Sequence, residues 1–284
     1  MTTQTRLDIE RIRAARRAIN PMLLDTPLYR CEALESALGC AVSIKLETAN
    51  PVRSFKARGT ELVAGQLAAN GHHAVVCASA GNLGQALAWS GRERGLAVTV
   101  VASRFAPTVK LDRIRALGAR LEVVDGDHEL ARDRATAIAR ERGIRLLEDS
   151  LDIETCEGAA TIGLELVDTK PDFDAVLIAL GGGALATGVG HVLKASAPEV
   201  EVICAYAEGD ECASGNMVDL PLSGATVDSF ANQPPIVAFL LGCMHEARIP
   251  TEGSDDGAPV LQINGDLLGC QGYRKRLHIG HFIR

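Results

Sequence analysis

The run Ser54-Phe55-Lys56-Ala57-Arg58-Gly59 could do covalent chemistry. Pro51 pushes the residue before it out of helix. Ser54 can then cap a helix over residues 55–70 that Gly71 ends. Lys56 falls in the first turn, where the partial positive charge of the helix start opposes a second cation and favours the free, nucleophilic amine. Such an amine attacks carbonyls, the opening step of Schiff-base chemistry; a lysine without that role sits on the surface. Two further turns carry anion-binding patterns. Gly181-Gly182-Gly183-Ala184-Leu185 closes a strand and opens a helix, so backbone N–H groups and the helix dipole face one point, as a phosphate requires. It lacks the Gly-Lys-Ser/Thr of a Walker loop and the spacing of a dinucleotide fingerprint. Ser79-Ala80-Gly81-Asn82 is also a strand-to-helix turn, able to hold a carboxylate through backbone amides and a hydroxyl. Each glycine-rich turn, taken alone, could be only a tight connection.

The elements that must position these turns alternate. Periodicity predicts a helix over 7–19 ended by Pro21, a short helix over 30–38 and a strand over 42–46. Strands over 74–78, 97–101, 120–124 and 145–147 alternate with helices over 107–117 and 128–142 and one from the serine turn to Arg94. A helix over 155–167, a strand over 174–180, a helix from the glycine turn to 195 and a strand over 201–206 follow. Short buried strands alternating with helices predict parallel sheets covered on both faces. From Glu208 the rhythm is lost, apart from a helix expected over 235–247, and the basic residues from Tyr273 onward show no clear period.

Composition narrows the class. A net charge of −7 with no dense basic run argues against a nucleic-acid surface. No apolar run approaches the roughly 20 residues of a membrane span, and the first residues lead into a charged helix rather than an apolar signal core. The eight cysteines form no Cys-x-x-Cys pair. They read as reduced core filler in a cytoplasmic protein without a zinc site.

Together and in this order, the three motifs resemble those of the fold-type II pyridoxal-phosphate enzymes, in particular the serine/threonine dehydratases and serine racemases. The resemblance extends over residues 7–206. It implies a fold like that of the tryptophan synthase β-subunit: two three-layer α/β domains with mostly parallel sheets. A larger cofactor domain is expected from residues 1–49 and 151–284, its 208–284 part divergent, and a smaller one from 50–150. The resemblance makes Lys56, flanked by Phe55, the lysine that holds pyridoxal 5'-phosphate, and makes Gly181, Gly182, Gly183, Ala184 and Leu185 the phosphate cup. Ala184 stands where a fourth glycine is usual. Ser79, Ala80, Gly81 and Asn82 become the substrate-carboxylate turn, with Asn82 also meeting the hydroxyl oxygen of the cofactor ring.

The activity so implied is removal of the α-proton of a β-hydroxy amino acid by Lys56, elimination of water aided by the cofactor phosphate or a nearby acid, and release of a 2-oxo acid and ammonia. Racemisation, with Ser79 as a second acid/base, is the first alternative. β-Replacement of the cysteine synthase kind and a non-catalytic ligand-binding role are the others. Leu83 replaces the histidine common after the Asn in dehydratases. The partner of the pyridine nitrogen is not legible, Cys270 being the nearest candidate. Glu208 is a weak candidate for a divalent cation, since Ser214 replaces the acidic partner expected six residues on. A small-molecule amino acid and a second copy of the chain are the implied partners, with no nucleic acid or membrane.

Overall fold

The computed structural model describes residues 6–38, 40–169 and 173–207 and the strand segments Ile236–Phe239 and Leu277–Phe282. It divides into two compact units. One comprises Glu10–Leu24 and Asn50–Thr161; the other comprises Met1–Ile9, Asp25–Ala49 and Ile162–Arg284. The sequence reading cuts the chain at 50 and 150, whereas by packing residues 10–24 and 151–161 also group with the 50–150 segment.

The first unit is built on an all-parallel sheet of β3 (Ala74–Ala78), β4 (Ala97–Ser103), β5 (Arg120–Val124) and β6 (Arg145–Leu147), in the order β5-β4-β3-β6. Strand side chains alternate between faces, and the two faces receive different partners. Val75 and Cys77 of β3 and Val98 and Val100 of β4 join Val63 and Leu67 of α3 (Lys56–Ala69), Leu87 of α4 (Asn82–Arg94) and Ile114 of α5 (Thr108–Ala116). Val76 and Val101 point the other way, onto Ala131, Ala135 and Ile138 of α6 (His128–Arg142). The three-layer arrangement therefore follows from the strand period of two. A further cluster packs Ala15 of α1 (Ile9–Ala18) with Ile19 and Leu23 against Ala57, Leu62, Ala86 and Trp89. Helix α7 (Ile153–Asp168) approaches α3 with backbone nearly touching backbone: a Cβ on Gly158 would lie 2.4 Å from the Gly59 nitrogen.

Glu61 of α3 is 1% exposed, and its Oε1 accepts from Arg94 Nε at 2.8 Å and Nη2 at 2.5 Å, while Oε2 has no partner among the described residues. Burial raises its carboxyl above the ordinary 4.5, against the opposing pull of Arg94. The folded state then binds more protons than the unfolded chain just above pH 4.5, so stability contributed through Glu61 declines as pH rises through the raised value. Urea unfolding between pH 4.5 and 7 is expected to show this decline in the native chain and to show it flattened in Glu61→Gln. Parallel profiles for the two chains would refute it.

The second unit carries a mixed sheet in the order β1-β2-β9-β7-β8-β10. Its strands are β1 (Leu28–Arg30), β2 (Val42–Lys45), β7 (Ala175–Ala179), β8 (Glu201–Ala207), β9 (Ile236–Phe239) and β10 (Leu277–Phe282). The outer pairs β1–β2 and β8–β10 are antiparallel and the central ones parallel. Helices α2 (Glu32–Leu38) and α8 (Ala184–Ser196) belong to the same unit.

Three expectations change. Arg30 closes β1, and the helix expected over 30–38 begins at Glu32, because pairing of β1 with β2 claims the backbone after Pro27. The helix expected from 235 is instead strand β9. The apolar run Ile236-Val237-Ala238-Phe239 pairs on both sides, with β2 and β7, satisfying both edges of its backbone; the rest of that expected helix lies outside the described residues. Aperiodic to the eye, residues 277–282 pair antiparallel with β8. Among the described residues no helix is long and apolar enough to cross a membrane.

Candidate active site

Asn50 shapes the loop before Lys56. Its Oδ1 accepts the N–H groups of Val52 at 3.0 Å, Arg53 at 2.8 Å and Ser54 at 3.4 Å, and its Nδ2 donates to the Ser54 carbonyl at 3.2 Å. This bends the chain tightly, with Arg53 at φ 62°. Helix α3 starts at Lys56, one residue later than the expected Phe55, which occupies the cap position without a side-chain hydrogen bond. Ser54 still serves the helix start, accepting from the Lys56 N–H at 3.2 Å. Arg58 is fully buried and donates to Thr161 Oγ1 at 3.0 Å, tying the lysine helix to α7.

The Lys56 amine is not an isolated cation at a helix start. Its Nζ lies 2.5 Å from Asp149 Oδ2 and 4.5 Å from the centre of the Phe55 ring, and its side chain is 15% exposed. Asp149 lies in the turn after β6, distant in sequence from Lys56, and no local pattern marks it. Asn50 was legible only as half of an Asn-Pro turn signal.

In the same unit, β3 delivers Ser79-Ala80-Gly81-Asn82, and α4 opens at Asn82. Ser79 Oγ accepts from the Gly81 N–H at 3.2 Å, leaving its own proton to donate. The turn folds back onto its helix so closely that a Cβ on Gly84 would stand 1.8 Å from the Ser79 carbonyl oxygen. All four turn residues are partly exposed, as a ligand-binding turn requires.

In the other unit, Gly181-Gly182-Gly183 connects β7 to α8. Gly183 has φ 94°, in the left-handed region that favours glycine, and its carbonyl accepts from Thr187 N–H at 2.9 Å. Among the described residues, a Cβ on Gly181 would meet nothing within 4 Å, which leaves open space beside that residue. Ala184 and Leu185 are buried at the start of α8. A side chain at 184 is accommodated because that residue already has helical backbone, unlike Gly183. Glu208 and Cys270 lie outside the described residues. Among the described residues no group of three His, Cys, Asp or Glu side chains could hold a metal.

Residues 19–256 match the family described as pyridoxal-phosphate dependent enzyme. The chain is similar to the biosynthetic L-threonine dehydratase of Salmonella typhimurium, with 31% identity over 212 residues that make up 72% of this chain and 41% of that one. It spans about two fifths of the length of the biosynthetic threonine dehydratases it matches. Among solved structures, threonine deaminase isoform 2 of Solanum lycopersicum, in its processed form, superposes with a TM-score of 0.65 and 28% identity, covering 73% of this chain and 62% of that one. Maize serine racemase superposes with a TM-score of 0.70 and 25% identity, covering 83% and 78%. The α/β fold seen here is thus the fold of these enzymes.

Proposed function

Because this chain belongs to the family of pyridoxal-phosphate dependent enzymes, we propose that it is an ammonia-lyase acting on a β-hydroxy amino acid such as L-threonine or L-serine. The carrying observation is the Lys56 amine at the first residue of α3, part-buried and beside an acid.

The residues present fit the cofactor. Its aldehyde calls for an amine, which Lys56 offers. Its phosphate calls for a backbone cradle, which the open space beside Gly181 and the left-handed Gly183 at the start of α8 offer. When bound, pyridoxal phosphate supplies an electron-withdrawing ring that makes an amino acid's α-proton removable. In this reading Lys56 holds the cofactor and then takes the α-proton. Phe55 flanks the amine. Gly181, Gly182, Gly183, Ala184 and Leu185 bind the phosphate. Asn82 orients the ring, and the backbone amides of Ser79, Ala80, Gly81 and Asn82 hold the substrate carboxylate.

Racemisation is the second reading, favoured by one observation: the Ser79 hydroxyl accepts from Gly81 and keeps a proton to give. The working form is proposed as a cytoplasmic homodimer. The free thiols of all five cysteines among the described residues support a reducing compartment.

The test is to incubate the chain with pyridoxal phosphate and follow absorbance near ~410–420 nm, where the lysine-bound cofactor absorbs. The L- and D-forms of serine and threonine are then screened for 2-oxo acid release. A band with oxo-acid release from an L-substrate is expected. A band with inversion alone would transfer the assignment to racemase, and no band would remove the reading.

A further inference from the structure

We propose that Asp149 is the catalytic acid that protonates the departing hydroxyl group. The inference rests on the lyase reading, which needs such an acid because hydroxide is a poor leaving group. Three observations carry it. Asp149 Oδ2 is 2.5 Å from Lys56 Nζ, within direct proton-transfer distance. Its Oδ1 is buried and has no hydrogen-bond partner among the described residues, an acceptor the fold leaves unsatisfied. The turn that carries this carboxylate is also pinned by its own hydrogen bonds. Asp152 Oδ2 accepts from Glu148 N–H at 2.7 Å, and Thr155 Oγ1 accepts from Ser150 N–H at 3.1 Å. Ser150 is held at φ 65°. The neighbouring acids have cations of their own: Glu148 pairs with Arg132 at 2.7 Å and Asp152 with Arg145 at 2.9 Å. Among the described residues, Asp149 is the acid that pairs with Lys56.

The protons balance across the pair. At the start of the step Lys56 Nζ is a free amine and Asp149 a carboxylate. The α-proton passes to Lys56 Nζ, and its former bonding electrons form the Cα–Cβ double bond. The Cβ–O bond breaks with its electrons on oxygen, which takes a proton from Asp149 as Asp149 takes one from Nζ, and leaves as water. The pair ends as it began, a free amine beside a carboxylate. One proton is taken from carbon and one is given to oxygen.

The experiment compares L-serine with β-chloro-L-alanine, whose chloride leaves without a proton, in the native chain, Asp149→Asn, Asp149→Ser and Asp149→Glu. Cofactor capture is read by absorbance, folding by melting temperature and α-proton removal by wash-in of solvent deuterium. Asp149→Asn and Asp149→Ser are expected to melt normally, capture the cofactor and exchange the α-proton. Their ratio of serine to chloroalanine turnover should fall by about 10²-fold or more, the scale of a lost general acid. Asp149→Glu should restore part of that ratio. Using two neutral variants keeps a folding defect in one from deciding the result. An unchanged ratio, or equal loss of both substrates together with deuterium exchange, overturns the proposal. A native chain that captures the cofactor but consumes neither substrate removes the lyase reading, and this inference with it.

Discussion

Lys56→Ala is expected to melt like the native chain, show no band near ~410–420 nm with pyridoxal phosphate and release oxo acid at least roughly 10³-fold more slowly. The size follows from the two tasks given to one amine, cofactor attachment and proton removal. Folding should be spared because the contacts of Lys56 are polar and part-exposed: the Asp149 carboxylate and the face of Phe55. Ala also suits the first turn of α3. A fully retained band would place the cofactor on another lysine. A retained band with unchanged turnover would remove Lys56 from the mechanism altogether. Free methylamine offers a further check, since a small amine entering the vacated space should recover part of the proton transfer.

The second large effect concerns stability. Lys45 of β2 and Glu165 of α7 form an ion pair at 2.5 Å, with side chains 3% and 5% exposed. Lys45 Nζ also donates to the Thr26 carbonyl at 2.5 Å, Glu165 Oε1 accepts from Asp25 N–H at 2.9 Å, and Thr26 Oγ1 donates to Glu47 Oε1 at 2.5 Å. Glu165→Ala leaves a buried ammonium without its carboxylate and Asp25 N–H without that acceptor. The expected loss is about 3–5 kcal/mol, the cost of breaking rather than replacing a buried pair. Urea unfolding of the cofactor-free chain, followed by circular dichroism, measures it. Lys45→Met combined with Glu165→Leu removes both charges and should be less destabilising than Glu165→Ala alone. A loss below about 1 kcal/mol for Glu165→Ala would show that water reaches the pair and screens it.

The sequence determined what depends on neighbours along the chain. The 74–147 stretch was legible as strands and helices because short apolar runs, helix caps and terminating glycines are local. The three motif turns were legible because an anion cradle needs small residues at a strand-to-helix junction, and Gly181 to Gly183 and Ser79 to Asn82 have them. Lys56 was legible as a candidate amine because Pro51 and Ser54 locate a helix start to within one residue.

Tertiary structure alone decided what depends on distant pairing. Strand β9 emerges from a segment that reads locally as helix, because two neighbouring strands satisfy its backbone. Strand β10 shows no useful period, yet β8 gives it a partner. The lysine's acid lies 93 residues away, on a turn whose local pattern is only polar. Glu165 likewise reads as an ordinary helix acid until folding buries it against Lys45, 120 residues distant. Local rules find the groups that could do chemistry, because backbone geometry is set by adjacent residues. They cannot find the charges those groups will face, because long-range packing brings those charges together.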